Sequence, residues 1–304
     1  MKTALLIALA IITAGYVVFW IRGILAAKRR SPEVVRGGIM PGWRDAGIGC
    51  VTNFLDTLGI GSFATTSAFF KLWGLVKDEQ IPGTLNVGHT LPSVTEAFIY
   101  IVVVQVDVVT LILMIAASMV GAFLGAGVVS RWPRRKIQIG MGGTLLAAAI
   151  IMVMTQLQWL PGGGERIGLS GGLLLAAVVG NAVLGALMTL GIGLYAPCLM
   201  LVSLLGMNPR AAFPIMMGSC AFLMPVGSGR FINAHRYNLK SALGLTLGGV
   251  PGVLLAAFLV KSLPLTAVRW LVVVVVLYTA AMLLRSAIIE RRSRITAEPA
   301  AAVE

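Results

Sequence analysis

Long stretches of this chain carry no charge at all. Residues 3–21, 108–130, 137–164, 167–209 and 241–260 contain no Asp, Glu, Lys or Arg, and windows near 81–105, 211–233 and 265–284 are almost as apolar. A run of about 20 such residues is what an α-helix needs to cross about 30 Å of hydrocarbon. Lipid offers no partner to a free backbone N–H or C=O, so a spanning segment must satisfy its own, and the helix does so. Composition agrees: 58% of the residues are hydrophobic and 12% charged, against about 25% charged in a soluble domain. So little charge cannot cover a soluble core. Disorder, coiled coil and a disulfide scaffold are excluded, and an all-α polytopic integral membrane protein remains. Cys50, Cys198 and Cys220 lie in apolar runs and read as free, buried thiols. Two histidines are too few for an imidazole-rich metal site, and neither metal nor cofactor is expected.

The formal charge of +13 raises the question of an acidic partner. Placing the residues answers it without nucleic acid. Basic side chains cluster at Lys28–Arg36, Arg131–Lys136 and Arg285–Arg294, the pattern of cytoplasmic loops. The first helix precedes such a cluster and lacks a convincing cleavage site, so it reads as a retained span with its N-terminus outside, in the cell (inner or plasma) membrane. The C-terminal tail is then cytoplasmic.

Two segments do not fit a simple span. Residues 44–76 and 170–206 are too long for one crossing and short for two, and each is interrupted by glycines. Even parity between the basic loops requires each to cross twice, as two short helices. The segments also resemble one another. Thr57-Leu58-Gly59-Ile60-Gly61 recurs as Thr189-Leu190-Gly191-Ile192-Gly193, an offset of 132 residues (57 to 189), and Val51/Val183, Leu55/Leu187, Ala64/Ala196, Leu72/Leu204, Gly74/Gly206 and Pro82/Pro214 match at the same offset. The chain therefore divides into an extra N-terminal helix (1–30), a first repeat (44–160), a second repeat (170–289) and a tail (290–304). With about five crossings per half, the repeats are inverted, the architecture of many secondary transporters, whose sites lie near the midplane where helices break. Gly59, Gly61, Gly83, Gly88, Gly191 and Gly193 are the candidate backbone breaks. The alternative is that glycines only let helices approach.

At these residues the sequence resembles the TauE/SafE sulfite exporter (DUF81-type) family. The resemblance rests on Asp56-Thr57-Leu58-Gly59-Ile60-Gly61-Ser62-Phe63-Ala64-Thr65-Thr66, on Ile81-Pro82-Gly83-Thr84-Leu85-Asn86-Val87-Gly88-His89, on Val106-Asp107 and on Gly191, Gly193, Pro197, Pro214 and Gly218. It covers about residues 44–289. Where the family has a run of three glycines, this chain has Ser62 after Gly61 and Leu194 after Gly193. The resemblance implies secondary transport of small sulfur-containing or organic anions such as sulfite.

An oxyanion in a dry site wants hydrogen-bond donors. Ser62, Thr65 and Thr66 follow the first break, and Tyr195 and Cys198 the second; all are candidate substrate contacts, since a new helix N-terminus offers N–H groups and about half a positive charge. Membrane Ser and Thr also commonly bond back to their own helix. Asn86 and His89, three residues apart, share one helix face and can reach the break; Asn53 and Asn181 either donate to substrate or cap loose backbone. Asp56, Glu96 and Arg230 are the ionisable groups inside the membrane and so candidates for coupling or ion pairing. Asp56 takes a proton or caps the next helix. Glu96 and Arg230 occupy nearly equivalent repeat positions, and a structural pair between them is the favoured reading. The expected partners are a small anion and membrane lipid, with the apolar Val272–Val276 run offering a face for a homodimer.

Three other classes compete: a permease for another anion or a cation, a membrane scaffold, and an intramembrane hydrolase with a Ser62–His89 dyad. No His-Glu-x-x-His motif is present, and no catalytic residue is assigned.

Overall fold

The computed structural model describes residues 1–30, 40–129, 134–157, 159, 164–188 and 194–301, and these are overwhelmingly helical. The helices are α1 (Lys2–Arg30), α2 (Trp43–Thr57), α3 (Ser62–Trp73), α4 (Ile81–Val103), α5 (Val108–Val129), α6 (Arg134–Gln156), α7 (Gly171–Met188), α8 (Tyr195–Leu204), α9 (Ala212–Asn233), α10 (Leu239–Ser262) and α11 (Leu265–Ala301). Among the described residues five helical stretches are long and apolar enough to cross a membrane: Lys2–Ala26, Gly171–Met188, Pro209–Asn233, Leu239–Leu259 and Arg269–Ile289. Burial follows the membrane pattern. Phe123, Leu175, Leu255 and Phe258 face outward, whereas Asn53, His89, Glu96 and Asn181 are fully buried.

The contacts sort the helix ends into two layers. In the first layer lie the starts of α2 and α4 and the turn from α9 to α10. There Gly42 approaches the Lys240 side chain, Gly83 packs on the Arg236 carbonyl, and the Asn238 N–H donates to Thr84 Oγ1 at 2.9 Å. In the second layer Lys2 Nζ donates to the Val104 carbonyl at 3.1 Å, and the Asp107 N–H to the Ile167 carbonyl at 2.7 Å. The Asn208 N–H donates to the Arg166 carbonyl there at 2.8 Å, and Arg210 bonds the Leu263 carbonyl.

These anchors change the reading of the two interrupted segments. The segment α2–α3 leaves the first layer at Gly42 and is back there by Val76, which packs with Ile48, Ile81 and Leu85. With 15 and 12 residues, its arms are about 22 and 18 Å long, short of the hydrocarbon thickness. It is a helical hairpin with both ends in the first layer, and its arms are too short for two full crossings. The segment α7–α8 also begins beside Leu169 and Thr110 and ends beside Arg166, both in the second layer, but its first arm, Gly171–Met188, is long enough to cross and only its second, of 10 residues, is short. An even number of crossings and none have the same parity, so the parity expected from the charges is unaffected.

Each hairpin lies against a full-length helix of the other half, α2 on α10 and α7 on α5. Lipid supplies no hydrophobic drive for such contacts, and they depend on small residues that let backbones touch. A Cβ on Gly252 would lie 2.2 Å from the Cys50 carbonyl, and one on Gly121 1.9 Å from that of Ala182. Backbone cannot step aside as a side-chain tip can. Gly252→Leu or Gly121→Leu is expected to destabilise the fold by about 3 kcal/mol, read as a lower thermal midpoint in detergent; an unchanged midpoint would refute the packing.

Helix α3 ends on Gly74 in the left-handed region (φ 59°), a common helix stop. The Val272–Val276 run, expected on an outer face, is mostly internal. Val272, Val273, Val275 and Val276 are buried and only Val274 is exposed, because α11 packs this face on its own chain.

Candidate functional site

The break between α2 and α3 is made by Leu58-Gly59-Ile60-Gly61, with Gly59 at φ 96° and Gly61 at φ 91°. L-residues other than glycine rarely adopt such values. Asp56 holds the new helix start: Ser62 donates to it twice, from its N–H to Oδ1 and from its hydroxyl to Oδ2, both at 2.9 Å. Of the two roles open to Asp56, the cap is thus occupied.

Glu96, two turns before the end of α4, lies where the hairpins meet. Tyr195, the first residue of α8, donates its hydroxyl to Glu96 Oε2 at 3.0 Å, and Thr57 Oγ1, at the end of α2, lies 2.8 Å from Oε1. Leu199 of α8 closes on Gly59, 2.8 Å from where a Cβ would sit. A single carboxyl therefore touches both hairpins. Thr57 belongs to the repeated five-residue motif but was not among the expected site residues. The motif was its signal, and side-chain direction, invisible in the sequence, hid its role.

A second polar chain ties the first hairpin to α4. His89 Nδ1 lies 3.0 Å from Asn53 Oδ1 on α2, and Nε2 lies 3.0 Å from Thr66 Oγ1 on α3. Asn53 Nδ2 donates to the Gly49 carbonyl at 2.7 Å, which fixes the amide and leaves Oδ1 to accept. In the neutral ring Nδ1 is therefore the donor and Nε2 accepts from Thr66. Asn181 does the corresponding work for the second hairpin. Its Nδ2 donates to the Met114 carbonyl on α5 at 2.7 Å and to Ser219 Oγ on α9 at 3.3 Å.

Several expectations need correction. Asn86 does not join His89 at the break; it bonds back to the Pro82 carbonyl and faces Gly227 of α9. Three residues along a helix differ by about 60° in direction, enough to send one side chain to the hairpin and the other to α9. Gly83 and Gly88 break nothing: α4 runs through both, and they admit the Arg236 carbonyl and Leu245 at close range. Arg230 does not pair with Glu96. Because α4 and α9 run antiparallel, with Thr90 beside Ser228, equivalent repeat positions lie at different depths, and Arg230 is exposed in the last turn of α9. Arg230→Ala is accordingly expected to change stability by less than about 0.5 kcal/mol, measured by thermal unfolding.

Ser62 and His89 do not form a dyad, since each is engaged elsewhere. The Thr65 hydroxyl donates back to the Ser62 carbonyl at 2.8 Å, the local bonding open to any membrane threonine. Cys198 is buried among apolar residues near the junction. Gly191 and Gly193 lie outside the described residues.

Residues 2–152 match the family model described as Sulfite exporter TauE/SafE. The chain belongs to the TauE/SafE family. The TauE/SafE match takes in α1, which the motif resemblance left outside, together with the whole first hairpin, His89 and Glu96, and it ends within α6. No curated protein and no solved structure matches the chain. Family membership and the apolar helices make it a multi-pass membrane protein of a transporter family.

Proposed function

We propose that the chain is a secondary transporter that exports small sulfur-containing or organic anions such as sulfite, driven by a proton gradient or membrane potential. The observation that carries this reading is the meeting of two helical hairpins, entered from opposite layers, at one buried junction. Helices α3 and α8 both begin at that junction, so both positive helix ends point into it. Ser62 and Tyr195 already donate to Asp56 and Glu96, so the first-turn N–H groups beyond Ser62 are the donors offered to an anion.

Inverted repeats account for the mirrored packing. Cys50 meets Gly252 as Ala182 meets Gly121, and Asn53 meets Gly249 as Gly185 meets Ser118. In each pair of contacts the residue on α2 is exchanged for its counterpart 132 positions later (50 to 182, 53 to 185). We place the first layer in the cytoplasm, since Arg236 and Lys240 lie there and basic residues favour that side. The N-terminus is then outside.

Purified protein in liposomes is expected to move labelled sulfite when a pH or voltage gradient is imposed, with empty liposomes as control. Absence of flux for sulfite and for a panel of small sulfonates would refute the reading. A second reading, a cation permease, is favoured by one observation: Asp56 and Glu96 both reach the junction. Against it, the described residues contain no group of three or more His, Cys, Asp or Glu able to hold a metal ion. Flux of sodium or potassium without anion flux would decide for it.

A further inference from the structure

The hydrogens at the hairpin junction can be counted. Thr57 Oγ1 lies 2.8 Å from the Asn53 carbonyl oxygen and 2.8 Å from Glu96 Oε1. A threonine hydroxyl has one hydrogen, and a carbonyl oxygen only accepts. If that hydrogen goes to Asn53, the bond to Glu96 needs a hydrogen from the carboxyl itself. At the other carboxyl oxygen Tyr195 is the donor. A protonated carboxyl meets both demands, donating from one oxygen and accepting at the other. Asp56 is the opposite case. Both its oxygens receive hydrogens from Ser62, and the Ser62 hydroxyl is directed to Asp56 alone among its hydrogen bonds, which suits a carboxylate.

The titratable groups around Glu96 are Asp56 on α2, Tyr195 on α8, Cys220 on α9 and Tyr100 on its own helix. None is basic. A second negative charge here would be buried beside Asp56 with no cation among the described residues to offset it, an unfavourable arrangement at low dielectric.

We infer that Glu96 carries the proton at this junction, with Asp56 its ionised neighbour, and that this proton holds the two hairpins together. The inference rests on the transport reading above only in calling this the coupling proton. Releasing the proton places two carboxylates on either side of Thr57. Their repulsion favours parting α2 from α4, and with it the first hairpin from the carboxyl that Tyr195 of α8 also holds, so proton release and opening of the junction are linked.

The test is infrared spectroscopy of the full-length protein in nanodiscs at neutral pH. The wild type is expected to show a protonated-carboxyl band that Glu96→Gln removes and Asp56→Asn leaves in place. Glu96→Asp, which keeps a carboxyl should the glutamine variant not fold, is expected to shift the band. A band that survives Glu96→Gln but disappears in Asp56→Asn would overturn the assignment, as would its absence from the wild type. In liposomes, the ratio of sulfite flux with a pH gradient to flux without one is expected to fall to about one in Glu96→Gln; an unchanged ratio would overturn the coupling role. If the wild type moves no anion while the band still follows Glu96, the transport reading fails and the proton assignment stands.

Discussion

Gly59→Val is expected to destabilise the protein by about 4 kcal/mol and to abolish anion flux. Two independent penalties add. A β-branched residue at φ 96° is strained by about 1–3 kcal/mol, and its side chain would enter the space of Leu199, a fully buried residue, at about 1–3 kcal/mol more. The two can be separated. Leu199→Ala makes room for the new side chain but leaves the backbone strained. The double variant should therefore recover part of the loss in Gly59→Val and not all of it, read from thermal midpoints of the four proteins in detergent. Full recovery would mean that the backbone at Gly59 is unstrained; no recovery would mean that the hairpins do not touch there.

His89→Ala is expected to cost a further class of stability, about 3–5 kcal/mol. It empties a fully buried site and leaves Asn53 Oδ1 and Thr66 Oγ1 without the ring nitrogens they bond, and each such orphan costs about 1–3 kcal/mol. The location of the effect is more diagnostic than its size. His89 joins both arms of the first hairpin to α4, so amide exchange should rise across 43–73 and stay unchanged across 171–204. His89→Gln, with a donor and an acceptor on one side chain, should restore part of the protection. Equal loosening of both hairpins would show that His89 is only a packing residue.

Much of this architecture was legible from the residues alone. Uncharged windows pointed to helices long and apolar enough to cross a membrane, five of them among the described residues, and charge clusters set a parity for the crossings. Glycines in a repeated motif pointed to α2–α3, where φ values near 90° demand them. Parity, however, cannot tell two crossings from none, and neither can a shared layer for Gly42 and Val76; the 15- and 12-residue arms mark the hairpin. The same limit applies to side chains. Glycine spelling does not distinguish Gly59, which turns the chain, from Gly88, which admits Leu245. Repeat equivalence suggested Glu96 and Arg230 as partners, but an antiparallel pair of helices puts equivalent positions at different depths. Thr57 and Tyr195, not an arginine, hold the buried acid.

The lodging of each hairpin against the opposite half has a consequence for how the protein is made. Helix α2 rests on α10, which begins only at Leu239, and α5 rests on α7. When the first hairpin leaves the ribosome, the groove that will shelter it has not been synthesised. Its arms are too short to anchor in lipid and carry Asn53 and Asp56, so it must wait at the membrane surface or within the insertion machinery. Neither half can mature alone, and a chain stopped after α6 would present an unhoused polar hairpin to cellular quality control. Slow or faulty insertion of α10 would therefore show itself first as proteolytic cleavage near α2, far away in sequence from the cause.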